Sequence, residues 1–268
     1  ADNPDWAVRR AIAAGWLDEL SQQQSALGMN VELVLYRNAH TNNGELPERC
    51  WIHQGGDLPA TVAALDPARS IAFAELLASC PILLVLSQFS ATAPLKKMAK
   101  QYGYRAATMG GFCAPMIPAL RIDYGEVNRR VDYLKNVLDR ATGADIRFRF
   151  PGGESELHLD LRFRSAHASG GLLLNPGMAG NLPSGEAYIV PFEGETETSR
   201  SAGILPVQFG QEVVRYRIEN NKAVEVLSEG PVSRTEAEKL VKEPAYGNIA
   251  ELGLGVLAAF GVKPVGKV

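Results

Sequence analysis

The sequence predicts an α/β protein: a mostly parallel α/β domain at the N-terminal side, followed by an α+β domain rich in antiparallel strands. Three observations carry that expectation. Ile82-Leu-Leu-Val-Leu86 is a short continuous apolar run between two helix-like stretches, the pattern of a parallel strand buried on both faces. From Asp145 onward the apolar period changes to two, as in half-exposed antiparallel strands. With 268 residues, 46% of them hydrophobic, the chain is long enough for two moderate cores, and the break is placed between residues 122 and 123.

Asp5 is suited to cap a helix from Trp6 to about Gln24, with Ala7, Val8, Ala11, Ile12, Leu17 and Leu20 on its core face. Val31–Tyr36 reads as a strand, and Arg37–Glu48 as a polar loop in which His40 is solvated. Pro59–Cys80 is expected to be helical with a break at Pro67, and Thr92 with Pro94 opens a helix whose lysines 96, 97 and 100 face water. Arg105–Thr108 returns as a strand, and alternation of strand and helix favours right-handed crossovers and a parallel sheet. Gly110-Gly111 lacks the three spaced glycines of a dinucleotide fingerprint. A helix from Asp123, with Val127, Val131, Leu134 and Leu138 at helical spacing and Gly143 closing it, joins the two domains.

In the second half, Ile146–Phe150 and Leu157–Phe163 alternate around the turn Pro151-Gly152-Gly153. His158 and Asp160 then belong to the polar, solvated face and are not assigned as ligands. Ile204–Phe209, Val213–Ile218 and Ala223–Leu227 are further strands, with a tight turn at Asn220-Asn221. A helix over Ser233–Lys242 is opened by a capping serine and glutamates. Gly261–Val268 reads as the approach to another strand, so both ends of the sequence suggest that the natural chain extends further.

Net charge is -3 and the pI about 5.9, so no surplus of positive charge exists to hold a nucleic-acid backbone. No apolar run approaches the roughly 20 residues that span a bilayer. Three cysteines (50, 80 and 113) without metal-type spacing suit reduced thiols, and the expectation is a cytoplasmic protein with no membrane or nucleic-acid partner.

Two carboxylates stand out. Glu186 follows the Pro183-Ser-Gly185 turn and starts the apolar strand Ala187–Val190, so it is held at a rigid corner. Glu251 lies in Asn248-Ile-Ala-Glu-Leu-Gly-Leu-Gly255, where apolar and glycine neighbours suggest partial burial. A solvated glutamate in a Pro-Gly turn is the commoner arrangement, and the sequence alone does not bring together residues 65 positions apart.

Thr108-Met-Gly-Gly-Phe112, Asp123-Tyr124, Gly152-Gly153, Gly180-Asn-Leu-Pro-Ser-Gly-Glu186 with Pro191, and Asn248–Gly255 together resemble, in order, the aminopeptidase T and aminopeptidase S group of metallopeptidases. The resemblance implies a homodimeric metalloaminopeptidase that removes N-terminal residues from small peptides with a two-metal centre of zinc, cobalt or iron. Within it, Glu186 and Glu251 are metal ligands. The family's remaining ligands, histidines and an aspartate, lie further toward the C-terminus; none of His40, His53, His158 and His167 follows Glu251. The same framework resembles Fe(II) enzymes that open dihydroxypyridine rings, so a mononuclear dioxygenase is the alternative, and a metal-free binding protein is a third.

Overall fold

The structure, a computed structural model, describes residues 4–263. In chain order its elements are α1 (Pro4–Gln22), α2 (Gln24–Leu27), β1 (Leu33–Tyr36), β2 (Arg49–His53), β3 (Ser70–Ala72), α3 (Phe73–Ser79), β4 (Ile82–Ser87), α4 (Thr92–Tyr102), β5 (Arg105–Gly110), α5 (Tyr124–Leu138), β6 (Gly143–Phe150), β7 (Gly153–Asp160), β8 (His167–Ser169), β9 (Ala179–Asn181), β10 (Glu186–Ile189), β11 (Ala202–Phe209), β12 (Glu212–Glu219), β13 (Lys222–Val226), α6 (Pro231–Lys242) and β14 (Leu252–Gly255). The α/β class is the expected one. The contacts divide the chain into two compact units. One comprises the chain up to Val127, Gly171–Gly185 and the chain from Leu257; the other comprises Asn128–Gly170 and Glu186–Val256.

The first unit holds two three-stranded sheets. One is antiparallel, in the order β1-β2-β3; the other is parallel, in the order β4-β5-β9. Phe73, Leu76 and Leu77 of α3, Leu95 and Ala99 of α4, and Tyr104 and Ala106 form a buried cluster, with the Tyr104 hydroxyl donating to the Leu95 carbonyl at 2.7 Å. Several local expectations change here. The run at Ile82–Leu86 is not buried on both faces: Ile82 is 38% and Leu84 46% exposed, and among the described residues β4 is an edge strand with β5 as its one hydrogen-bonded neighbour. Residues 59–80 form two short 3-10 turns, a strand and a short helix, since prolines at 59 and 67 interrupt the helical ladder. On α1, Ala7, Val8 and Ala11 are exposed, whereas Trp6, Trp16, Leu17 and Leu20 turn inward. The expected cap by Asp5 and the expected strand approach beyond Lys263 lie outside the described side chains and residues.

The second unit is built on the antiparallel sheet β13-β12-β11-β7-β6. The turn between β12 and β13 has Asn220 and Asn221 at φ 50° and 67°, the left-handed pair that a tight hairpin demands. Gly143 does not close α5; it is the first residue of β6, paired with Asp160. Nor does a serine cap α6. The Glu212 carboxylate, from β12, accepts from the Val232 and Ser233 amides at 3.1 and 2.7 Å, and Ser233 is buried within the first turn. A carboxylate at a helix N-terminus satisfies amides that have no partner within the helix, and a strand neighbour can supply it as well as a local residue. Among the described residues no helix is long and apolar enough to cross a membrane.

Candidate functional site

The second unit also contains the small antiparallel sheet β14-β10-β8; Glu186 belongs to it, and Glu251 lies just before its strand β14. Glu186 is the first residue of β10, the central strand, opposite Gly255 of β14 on one side and Ser169 of β8 on the other. The turn expected to hold it is present. Gly185 sits at φ 153°, where an added Cβ would strike the Leu257 side chain, so glycine is required on steric and backbone grounds. Burial along β10 alternates, with Ala187 and Ile189 fully buried and Glu186 and Tyr188 half-buried. An apolar run such as Ala187–Val190 suggests a strand buried throughout, and this one is not. Its actual period of two puts Glu186 and Tyr188 on one face.

Glu251 immediately precedes β14. It is exposed, contrary to the partial burial read from its apolar neighbours, because β14 is an edge strand and Gly253 and Gly255 cover nothing. The two glutamates nevertheless interact. Burial, and then the Glu251 charge, raise the Glu186 carboxyl above the ordinary range. Tyr188 is raised by burial and by both glutamates in turn. Among the described residues no ion pair reaches either glutamate. Glycine makes the packing possible: a Cβ at Gly253 would collide with the Glu186 carboxylate, which lies over that backbone.

His167, the neighbour of Tyr188 across β8 and β10, stacks on its ring at 5.1 Å between centroids. Tyr188 is the residue that sequence reasoning passed over. Its signal was present, since a half-buried strand places residue i+2 beside residue i. His158 and Asp160 part company. His158 pairs with Asp145 at 2.8 Å on a partly exposed face, whereas Asp160 is 1% exposed and does not face solvent. Its carboxylate accepts from Arg162 Nε and Nη2 at 2.9 and 2.7 Å and from the Arg200 amide at 2.9 Å, and these bonds hold it well below the usual carboxylate range. His40 and His53 belong to the first unit and do not contribute to this sheet.

Two other motif pieces meet in the first unit. Thr108 of β5 and Asn181 of β9 are register partners, and the Asn181 Oδ1 accepts from Thr92 and Thr108 hydroxyls at 2.6 and 3.1 Å. That contact fixes the strand leading to Leu182, whose amide donates to the Thr108 carbonyl. Among the described residues no group of three or more His, Cys, Asp or Glu side chains is arranged to hold a metal ion. The pair Glu186 and Glu251 supplies hard oxygen donors, a partial set for a divalent ion.

No family model matches the chain, and no curated protein matches it. Among solved structures, a 2,5-dihydroxypyridine dioxygenase from Pseudomonas putida KT2440 is similar at a TM-score of 0.52 and 16% identity, over 71% of this chain and 56% of that one. AmpT from Thermus thermophilus aligns at a TM-score of 0.35 and 21% identity, over 52% of this chain and 36% of that one. The chain therefore spans about half of the first protein's length and about a third of the second's. The likeness to the dioxygenase is one of fold.

Proposed function

We propose that Glu186 and Glu251 are ligands of a divalent metal centre and that the protein is a metal-dependent aminopeptidase-like hydrolase of small peptides. The observation that carries this reading is the charge interaction of two acidic side chains at one small sheet, with no ion pair reaching either among the described residues. Such a cluster disfavours its own ionisation, and a bound cation relieves that cost. Two carboxylates hold such an ion weakly, so in this reading further ligands come from outside the described residues. When bound, a divalent centre polarises a carbonyl and lowers the pKa of a coordinated water. The protein's own contribution is to fix the Glu186 carboxylate against Gly253, to keep the Tyr188 hydroxyl protonated beside it, and to present Glu251 at an open sheet edge. The homodimer is part of the same reading and rests on the resemblance of the motif segments to the aminopeptidase group.

A second reading is a mononuclear Fe(II) ring-opening dioxygenase, which the fold likeness to the 2,5-dihydroxypyridine enzyme favours. Metal content measured by mass spectrometry after loading with Zn²⁺, Co²⁺ or Fe²⁺ tests the shared premise. Glu186→Gln and Glu251→Gln should each weaken retention by about tenfold or more, since even supporting residues are worth that much at metal sites. Unchanged retention in both variants would refute the ligand assignment and bring a metal-free binding protein forward. Release of leucine or arginine from peptide amides with Zn²⁺ or Co²⁺ supports the hydrolase, whereas oxygen uptake with a dihydroxypyridine and Fe²⁺ supports the dioxygenase.

A further inference from the structure

The first unit carries a large apolar groove that the proposed metal chemistry does not use. Its volume is about 1160 Å³. Two strands wall it, since residues 31–39 with β1 and residues 79–91 with β4 line it without a break. Each of these strands is the edge of its own sheet, with a single hydrogen-bonded neighbour. Trp6, Ala13, Trp16, Leu17 and Leu20 of α1 line it as well. Leu27, Met29, Val62, Ile82 and Leu84 are between 38% and 51% exposed along it, so apolar surface is left in water where two strand edges face a common space.

The direction of the flanking elements follows from three side-chain contacts. Asn38 Nδ2, just past the end of β1, donates to Gln88 Oε1 at 2.7 Å, just past the end of β4. The Tyr36 side chain at the end of β1 interacts with that of Ser87 at the end of β4. The two strands therefore point the same way. Trp6 Nε1, in the first turn of α1, donates to the same Gln88 oxygen at 2.6 Å, so α1 starts at the carboxyl ends of both strands and runs back along them. It ends at Gln22, the short helix α2 follows and is capped by Gly28, and β1 begins after a short link. Helix followed by strand is thus the second half of a βαβ unit whose first strand would occupy the groove.

We propose that this groove is the slot for one extended apolar strand of the polypeptide, parallel to β1 and β4 and leading into the N-terminal end of α1. Seated there, it joins β1-β2-β3 and β4-β5-β9 into one continuous sheet. A strand between two neighbours is covered on both faces, so Val- and Ile-rich sequence fits it, and five or six residues at about 3.3 Å each match the length of β4. An apolar small molecule could fill the volume, but it would leave the backbone edges of β1 and β4 without hydrogen-bond partners. The strand satisfies both.

The test uses the full chain carrying a six-residue N-terminal extension, Val-Thr-Val-Ile-Val-Thr, beside a Gly-Ser extension of equal length. Amide hydrogen exchange is followed in residues 31–38 and 82–88. The expected result is exchange slowed by about tenfold or more in both segments with the apolar extension alone, in a protein that remains the same size by light scattering. A second arm places one cysteine in the extension and another by Leu84→Cys, and it expects an intramolecular disulfide that the Gly-Ser chain does not form. Equal exchange in the two chains together with no cross-link overturns the proposal. So does protection that appears only with association of two copies, or protection by dodecanoate but not by the extension.

Discussion

Two carboxylates of the second unit, Asp160 at the end of β7 and Glu186 at the start of β10, show opposite solutions to removing an acid from water. Asp160 is 1% exposed and fully answered. Arg162 grips both its oxygens, the Arg200 amide adds a further bond, and Glu197 holds the far side of the Arg162 guanidinium at 3.0 Å. Glu186 is half-buried, and the charge that acts on it is that of a second acid, Glu251. An ionised group taken out of water requires a partner, a proton or a metal, and the fold supplies the partner in only one of these places. Asp160 is a structural device. Glu186 has been left in a state that an added cation improves.

That comparison is sharpest under mutation at Asp160. Asp160→Asn should cost about 3 kcal/mol in denaturant unfolding, because the partly buried Arg162 loses the charge that compensates it. Glu186→Gln in metal-free protein should have the opposite sign, a gain of up to about 1 kcal/mol at neutral pH, since it removes a charge that burial and Glu251 both disfavour. A comparable loss at both positions would break the distinction. Gly253→Ala should cost about 1 kcal/mol, because the new methyl group displaces the Glu186 carboxylate, and it should reduce metal retention as the glutamine variants do. Retention equal to that of the unmodified chain would show that the carboxylate position is unimportant.

The smallest effect is in the pH dependence, and its sign separates the two acids. The native pKa of Asp160 is depressed, so its contribution is present above the unfolded value near 3.8 and is lost as the pH falls toward the native value. The native pKa of Glu186 is raised, so the folded state binds more protons. Stability from this group is full below 4.5 and is lost as the pH rises through the native value. Subtracting the Glu186→Gln curve from that of the parent should isolate a slope that is negative with pH, and a positive slope would contradict the assignment.

Much of this was legible along the chain. The alternation at Ile146–Phe150 and Leu157–Phe163 identified the antiparallel half, the Asn220-Asn221 hairpin was readable from residue type, and Pro183-Ser-Gly185 marked a turn that does deliver Glu186 to a strand. These are local signals, fixed by period and by the backbone freedom of a few residues. Signals that depend on a neighbour elsewhere in the chain were misread. Asp160 looked solvated because Arg200 and Ser201, which hold it, are some forty residues away. Ile82–Leu86 looked fully buried because an apolar run does not reveal whether both flanking strands are present.

The sequence by itself determined the strand and helix periods, the change from one pattern to the other near Asp145, the slightly acidic charge balance, and the two glutamates in glycine-bounded settings. Tertiary structure decided that the charges of those glutamates meet at one small sheet, that Tyr188 joins them, that Asp160 is paired with Arg162, and that β1 and β4 face a common groove. The physical reason is one of range. Side-chain period and turn geometry act over a few residues, whereas burial, charge pairing and strand adjacency depend on segments that only the folded chain brings together.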